Sequence, residues 1–251
     1  MAPSALAAAD LPIRLILEAL AVNLAVGGLA FFLRTVSATG CAAGVGVGTA
    51  IYAAVGRPGF ALLVLFFAAG SAATKLGLRR KALLGAAQAE GGARSARHVL
   101  GKGLVPAACA ILAWALDRPA WALVAFTAAL AAALADTVAT ELGTLIGRRH
   151  WTIVPLSRVA AGSAGAVSLE GTLLGAASAA VVGGAAAAVG LAPGMAVWVV
   201  ALAAVVAGLR ESVEGRLLAG VLPERLRGPL LNVDLTLMAA AIGGLLWWAT
   251  N

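Results

Sequence analysis

Charged residues are scarce in this sequence of 251 residues, since Asp, Glu, Lys and Arg together make up 12% of it. Soluble domains carry about 25% charged residues, so a soluble globular domain, a disordered chain and a soluble nucleic-acid-binding protein are excluded. Hydrophobic residues instead reach 62%. Because a spanning helix needs roughly 20 apolar residues, a chain of this length can hold about seven to nine of them. The composition predicts an all-α polytopic membrane protein.

Cysteine and histidine are also rare, with two of each in the chain. Cys41 and Cys109 stand far apart inside apolar runs, which is not the spacing of a zinc site or of a disulfide framework. His98 and His150 each follow an arginine in a predicted loop. Either could act as a base or contact a phosphate, but such histidines are more commonly only solvated.

Eight long apolar runs, bounded by charges, proline or glycine, are typical of membrane-spanning helices. They cover residues 13–33, 37–55, 59–77, 99–116, 119–142, 167–190, 193–214 and 232–249. The first run lacks the basic segment of a signal peptide, so we expect it to remain as a helix. The second and sixth are rich in glycine and alanine, which favours a central position. Residues 1–251 are interpreted as one integral-membrane helical domain.

The distribution of Lys and Arg predicts the orientation of these helices. With the N-terminus outside, the inner loops carry 14 Lys and Arg residues, and the outer turns carry three, Arg14, Arg57 and Arg118. Cytoplasmic loops are enriched in Lys and Arg. We therefore expect a multi-pass protein of the cell (inner) membrane with both termini on the non-cytoplasmic side and its active face in the cytoplasm. The net charge of +7 is attributed to this bias and not to nucleic-acid binding.

Ionisable and amide side chains within the predicted helices converge on one depth near the cytoplasmic interface. They are Lys75, Asp136, Glu141, Glu170, Glu211, Glu214, Asn232 and Asp234, whereas Glu18 and Asn23 of the first helix lie elsewhere. Charged groups inside membrane helices are costly and mark candidate functional sites. We expect the cytoplasmic ends of the third, fifth and seventh spans and the start of the sixth to meet around one pocket.

This combination of groups fits a phosphate ligand bound with magnesium. Mg²⁺ prefers one or two carboxylates together with phosphate oxygens, and Arg and Lys neutralise the remaining phosphate charge. A structural alternative is that Asp136 and Glu141 only pair with Lys75 or Arg210 to hold the bundle together.

A glycine-rich segment, GSAGAVSLEG at residues 162–171, opens the sixth span. Backbone N–H groups at the N-terminus of a helix bind phosphate well. A tight turn with close helix packing explains the same spacing equally well. The segment is not a Walker A motif, because no Gly-Lys-Ser/Thr follows it.

The segments ADTVATELG (135–143) and GSAGAVSLEG (162–171) together resemble the signature of a known integral-membrane family. It includes transmembrane protein 19 and the phytyl-phosphate kinases of plants and cyanobacteria. TKLG (74–77), GGARS (91–95) and HVL (98–100) also match its pattern, and the order and spacing hold over a core of about 70–235. Two positions depart from it, with Glu211-Ser212 in place of Asp-Ser and Lys102-Gly103 in place of Asn-Gly.

The resemblance implies a kinase that transfers a phosphoryl group from a nucleoside triphosphate to an isoprenyl or phytyl monophosphate, giving the diphosphate. CTP is the donor in related lipid kinases. The implied partners are the nucleotide, the lipid phosphate and the membrane, without nucleic acid, and a homo-oligomer is left open. The rival function is a transporter or carrier of an anionic lipid or metabolite, whose site typically lies near the membrane midplane.

For this chemistry we assign Asp136 and Glu141 to Mg²⁺, with Glu211 as a third candidate ligand. We assign a catalytic role to Asp136, Glu141 and Lys75. The predicted phosphate-binding residues are Arg79, Arg94, Arg158, Gly162, Ser163, Gly165, Ser168, Glu170 and Asn232.

Overall fold

The computed structural model describes residues 13–78 and 93–251. These residues form seven helices, each long and apolar enough to cross a membrane. They are α1 (Ile13–Phe32), α2 (Ala38–Lys75), α3 (Ala96–Ala115), α4 (Ala120–Ile146), α5 (Leu169–Ala188), α6 (Ala196–Leu217) and α7 (Glu224–Thr250). The predicted all-α polytopic membrane fold is confirmed.

The helix α2 folds back on itself at Gly56. This residue has φ 75° and ψ −167°, a conformation that favours glycine. Gly40 packs against the backbone of Arg94 and Gly70 against its side chain, although about 30 residues would extend over about 45 Å in a straight helix. The two arms, 38–55 and 57–75, are therefore antiparallel. They correspond to the second and third predicted spans, so the eight spans map onto seven helices.

Successive helices run in opposite directions. The starts of α3, α5 and α7 and the ends of α4 and α6 line one cavity, and we call this end of the bundle the site end. The turn at Gly56 and the start of α1 lie at the opposite end, the far end, where Arg57 contacts Glu18. The C-terminal part of α7 also lies there, because Gly244 packs against Trp121 at the start of α4.

The centre of the bundle is α4, which packs against α2, α3, α5, α6 and α7. Nearly every residue from 122 to 135 is buried. This stretch is dominated by alanine, which lets neighbouring helices approach closely. The expectation that the sixth predicted span is central is wrong, because α5 buries only one side of its surface.

A small β-hairpin interrupts the helical pattern in the loop between α4 and α5. Its antiparallel strands are β1 (His150–Thr152) and β2 (Ser157–Val159). Trp151 also exchanges two backbone hydrogen bonds with Val167, with N···O distances of 2.9 and 2.8 Å. These bonds fix the hairpin beside the start of α5. The loop is therefore an ordered wall of the site end.

The last helix begins eight residues before its predicted boundary at 232, at Glu224 after Pro223. Hydropathy marks where a helix enters the hydrocarbon and not where it starts, so polar first turns are missed. The extra turns bring Arg227 and Gly228 to the cavity.

Candidate functional site

A cavity of about 440 Å³ lies at the site end. Its walls come from the first turns of α3, α5 and α7, the last turns of α4 and α6, and the glycine-rich segment 162–168. The polar groups that line it include Lys102, Asp136, Thr137, Thr140, Glu141, His150, Ser163, Glu211, Ser212, Arg227 and Asn232. A cavity of this size is in the range of ligand-binding pockets, which are about 300–1,000 Å³.

An ion pair between Lys102 and Asp136 lies in the cavity wall. The ammonium of Lys102 lies 2.7 Å from a carboxylate oxygen of Asp136 and also donates to the Thr137 hydroxyl at 2.6 Å. Thr140 donates to the second carboxylate oxygen at 3.3 Å. Both ion-pair side chains are 16% exposed, so the pair is shielded from water but open to the cavity.

Two further carboxylates face the same cavity. Glu141 lies five residues beyond Asp136 on α4 and is only 4% exposed. Glu211 reaches the cavity from α6, close enough to Asp136 for their charges to interact. Asp136 and Glu211 are thus brought together, as the common depth of these residues predicts. Carboxylates that face one another repel unless a cation lies between or beside them.

The glycine-rich segment forms another wall of the cavity. Gly162 has φ 82° and Gly165 has φ 70°, so both turns require the conformational freedom of glycine. A side chain at Gly165 would overlap the carbonyl of Ser212 on α6. In the described part of the chain, the N–H groups of Ala164 and Gly165 have no hydrogen-bond acceptor. These unpaired donors border the cavity and suit an anion.

Ser168 has a structural role that explains part of the motif. It is the N-cap of α5, and its hydroxyl accepts a hydrogen bond from the N–H of Gly171 at 3.1 Å. Gly171 packs directly against the backbone of Ala139 and Gly143 on α4. The two interpretations of this segment, a phosphate-binding turn and close helix packing, are therefore both compatible with the structure.

The β-hairpin places His150 at the edge of the cavity. Its Nε2 atom lies 3.1 Å from the carbonyl oxygen of Gly143 near the end of α4. Arg158 on β2 stacks on the ring of Trp151 at 5.1 Å and is exposed. Arg158 does not line the cavity, because the strand directs it to the outer side of the hairpin.

Several predicted site residues lie away from the cavity. Lys75 is exposed and donates to the carbonyl of Leu33 at 3.2 Å, because it ends the second arm of α2 beside the end of α1. Glu170 points from the first turn of α5 and does not line the cavity. Arg79 lies outside the described residues. By contrast, Gly162, Ser163, Gly165, Ser168 and Asn232 all line the cavity.

Arg94 is buried next to the cavity and not within it. Its guanidinium lies 5.5 Å from the ring centres of both Phe66 and Phe67, and it lines a second, smaller pocket. Burial lowers the pKa of Arg94 to about 10, and the nearby Glu141 carboxylate opposes that shift. Arg94 therefore stays cationic at neutral pH.

The structural alternative for Asp136 is corrected by its actual partner. Asp136 pairs with neither Lys75 nor Arg210. Arg210 instead binds Asp234 and lies 2.5 Å from Glu214. The partner is Lys102, which stands in the sequence as a departure from the family pattern. Lys102 follows His98 by four residues, so both lie on one face of α3. This spacing is the sequence signal that could have identified Lys102 as a site residue.

The donor set of the cavity suits a divalent cation. In the described part of the chain, no group of three or more His, Cys, Asp or Glu has the geometry of a metal site. Mg²⁺ needs fewer protein ligands, since phosphates and water complete its shell. The oxygen atoms of Asp136, Glu211 and Asn232 are donors of the kind that Mg²⁺ prefers.

Comparison with known proteins places the chain among membrane proteins. The uncharacterized membrane protein sll0875 of Synechocystis is 37% identical over 132 residues, 51% of each chain. Protein VTE6, chloroplastic, of Arabidopsis thaliana is 32% identical over 152 residues, 59% of this chain and 46% of the relative. The uncharacterized membrane protein MJ0933 of Methanocaldococcus jannaschii is 36% identical over 114 residues, 45% and 46% respectively.

The matched segments cover about half the length of these relatives. No solved structure matches the chain. The profile of one family, described as integral membrane protein DUF92, matches residues 21–229. This match extends beyond the expected core of 70–235 toward the N-terminus and confirms the membership that the motifs predict. The chain therefore belongs to the integral membrane protein DUF92 family.

Proposed function

We propose that this protein is a membrane-embedded kinase that transfers a phosphoryl group from a nucleoside triphosphate to an isoprenyl or phytyl monophosphate, giving the diphosphate. CTP is the proposed donor and Mg²⁺ the proposed cofactor. The reaction takes place at the cytoplasmic face of the cell (inner) membrane, the side that the positive charge of the loops favours for the site end.

One observation carries this proposal. Carboxylate residues of α4 and α6, a lysine of α3 and the residues of the glycine-rich segment whose backbone N–H groups are unpaired all line a single cavity. Phosphoryl transfer needs positioning and neutralisation of negative charge more than acid–base chemistry. The cavity contains groups for both tasks.

The acceptor supplies its own nucleophile. The second pKa of a phosphate monoester is about 6, so it is largely dianionic at neutral pH. One of its oxygens forms a bond to the terminal phosphorus of the nucleotide, while the bond from that phosphorus to the bridging oxygen breaks. The nucleoside diphosphate leaves with the bonding electron pair, and no proton has to be moved.

Different residues of the chain bind the nucleotide and hold the cation. The N–H groups of Ala164 and Gly165 bind phosphate oxygens of the donor, and Lys102 fixes the Asp136 carboxylate in the wall. Asp136 and Glu211, with Glu141 nearby, would hold the cation, which would supply positive charge to neutralise the phosphates. Because Glu141 is deeply buried, it lies behind the other two carboxylates and adds its negative charge near the cation.

The position of the cavity supports an enzyme over a carrier. Transporter sites typically lie near the midplane between symmetric halves, whereas these charged groups gather at one end of the bundle.

The test is nucleotide consumption by the purified full chain in detergent micelles. Phytyl monophosphate or geranylgeranyl monophosphate is the acceptor, each nucleoside triphosphate is tried in turn, and Mg²⁺ is present or removed with a chelator. We expect prenyl diphosphate, identified by ³¹P NMR, only when acceptor, nucleotide and Mg²⁺ are all present. Wild-type protein that folds but gives no diphosphate with any nucleotide contradicts the proposal.

A matched pair of variants separates the site from general effects on the fold. Asp136→Asn removes a carboxylate from the cavity, and Glu18→Gln removes one from the far end. We expect the first to lower product formation by roughly a hundredfold to a thousandfold and the second to leave it intact. Equal activity in both variants removes Asp136 from the proposed machinery.

A further inference from the structure

A second, smaller pocket of about 120 Å³ adjoins the cavity. It lies between α1, the two arms of α2 and α3. His98, Lys102 and Thr137 line both spaces. The two pockets therefore share a wall at the Lys102–Asp136 ion pair, so a molecule bound across this wall would reach both.

The lining of this pocket divides by polarity. Most of the wall is hydrocarbon or glycine, from Val26, Gly27, Ala30, Gly44, Leu63 and Phe67 among others. The cationic groups, Arg94 and Lys102, together with His98, belong to the site end. The amide of the lining, Asn23, is satisfied through its bond to the Ala19 carbonyl at 2.8 Å. The pocket is thus apolar along its length and cationic at the end that adjoins the cavity, which we call its mouth.

Its length follows from the helices that form it. The lining spans stretches of about two turns on three helical segments, 23–30, 40–47 and 60–67. Each stretch corresponds to about 10 Å along a helix axis. One leaflet of a bilayer is about 15 Å of hydrocarbon, so the pocket covers much of a leaflet in depth.

We infer that this pocket binds the first part of the hydrocarbon chain of a lipid monophosphate, the part next to the phosphate, with the phosphate at Arg94 and Lys102. The inference rests on the proposed function, in which such a lipid is the acceptor. Charge complementarity favours this occupant, because the guanidinium of Arg94 matches a phosphate. Lys102, whose charge is already paired with Asp136 at 2.7 Å, adds hydrogen-bond donors beside it. The narrow pocket takes one chain, whereas the phospholipids of a bilayer carry two.

Gly44 controls the space available to the chain. It lines the pocket, and a Cβ atom built on it meets nothing within 4 Å. Gly44 lies one turn, about 6 Å, below Gly40, which packs on Arg94 at the mouth. A larger side chain there would fill the pocket beyond the reach of a short prenyl group and leave the mouth open.

The same arm offers a matched control in Gly46. A Cβ atom at this residue also meets nothing within 4 Å, but Gly46 does not line the pocket. Gly44→Leu and Gly46→Leu therefore make the same change on one helix. Only the first places leucine in the pocket.

The experiment measures equilibrium binding of radiolabelled geranylgeranyl monophosphate and dimethylallyl monophosphate to both variants and to wild type, with inorganic phosphate as competitor. Leucine displaces more than one methylene of the chain, each of which contributes to affinity. We expect Gly44→Leu to weaken binding of the geranylgeranyl compound by about tenfold or more. Binding of the dimethylallyl compound, and of both by Gly46→Leu, should match wild type.

Equal affinity of the two leucine variants for the geranylgeranyl compound overturns the inference. So does inorganic phosphate that competes as well as the long lipid, since the chain would then contribute nothing. Chain-dependent binding without any diphosphate formation would support the pocket and contradict the kinase. Diphosphate formation that is unchanged in Gly44→Leu would support the kinase and contradict the pocket.

Discussion

The two ends of the bundle both carry charged side chains but arrange them differently. At the far end Glu18 accepts hydrogen bonds from Tyr52 at 2.5 Å and Arg57 at 2.9 Å. The Arg57 and Glu18 side chains are 81% and 44% exposed. At the site end the side chains of Lys102 and Asp136 are each 16% exposed and border a cavity.

This difference separates a structural use of charge from a functional one. The far-end carboxylate is matched by its own cation and hydroxyl, and water screens the pair. At the site end three carboxylates line one cavity, with Lys102 and Arg227 as the cations of the described lining. Grouping like charges in a shielded place costs stability, and such cost is typical of sites that bind a charged ligand.

Asp136→Asn should have the largest effect. Loss of the carboxylate removes a proposed cation ligand, and we expect turnover to fall roughly a hundredfold to a thousandfold, as for other groups that stabilise charge in a transition state. The measurement is diphosphate formation beside a thermal unfolding curve and a Mg²⁺ titration. If the variant instead loses stability and keeps its turnover per folded molecule, the pair with Lys102 is only structural.

Lys102→Met should lower turnover less, by roughly tenfold to a hundredfold, since the carboxylate remains but its orientation is lost. Stability should also fall, by less than the roughly 3–5 kcal/mol of a fully buried broken pair, because both groups are partly exposed. Lys102→Arg restores the charge. If Asp136→Asn and Lys102→Met act on one unit, the stability of the double variant will exceed the additive expectation.

Gly165→Ala should have an intermediate effect, with Gly190→Ala as its counterpart at the far end. Both glycines have φ 70°, so both alanines cost about 1–2 kcal/mol for the left-handed conformation. Of these two positions, Gly165 lacks space for a Cβ atom, which should add about 1–3 kcal/mol of overpacking. Unfolding curves and turnover of the two variants are compared. Equal losses in both contradict a special packing role for Gly165.

Arg57→Ala should have the smallest effect. The residue is exposed at the far end, and its ion pair is screened by solvent. We expect turnover and affinity for the acceptor to stay at the wild-type level in the same assay. A strong loss of turnover would show that the far-end ion pair also affects the cavity, and would contradict its purely structural role.

Part of the site can be predicted from the sequence. Depth along each helix follows from counting residues, and this count alone places Asp136 and Glu211 in one layer. Counting does not give the direction of a side chain around its helix axis. Lys75 shares the depth of the layer, yet it contacts the carbonyl of Leu33 outside the cavity.

The partner of Asp136 illustrates the same limit. Lys102 lies 34 residues away along the chain, and the family pattern marks its position only as a departure. Which cation meets a buried carboxylate depends on how α3 and α4 pack.

The sequence by itself determined the membrane fold, the approximate spans and the concentration of carboxylates and glycines in two motifs. These properties follow from hydropathy and local backbone preference, which act over one or two helical turns. Only the tertiary structure decided that α4 is central, that α2 folds back at Gly56 and that an apolar pocket adjoins the polar cavity. Contacts between helices far apart in the chain set these features, because the small residues that permit close packing do not specify which neighbours will meet.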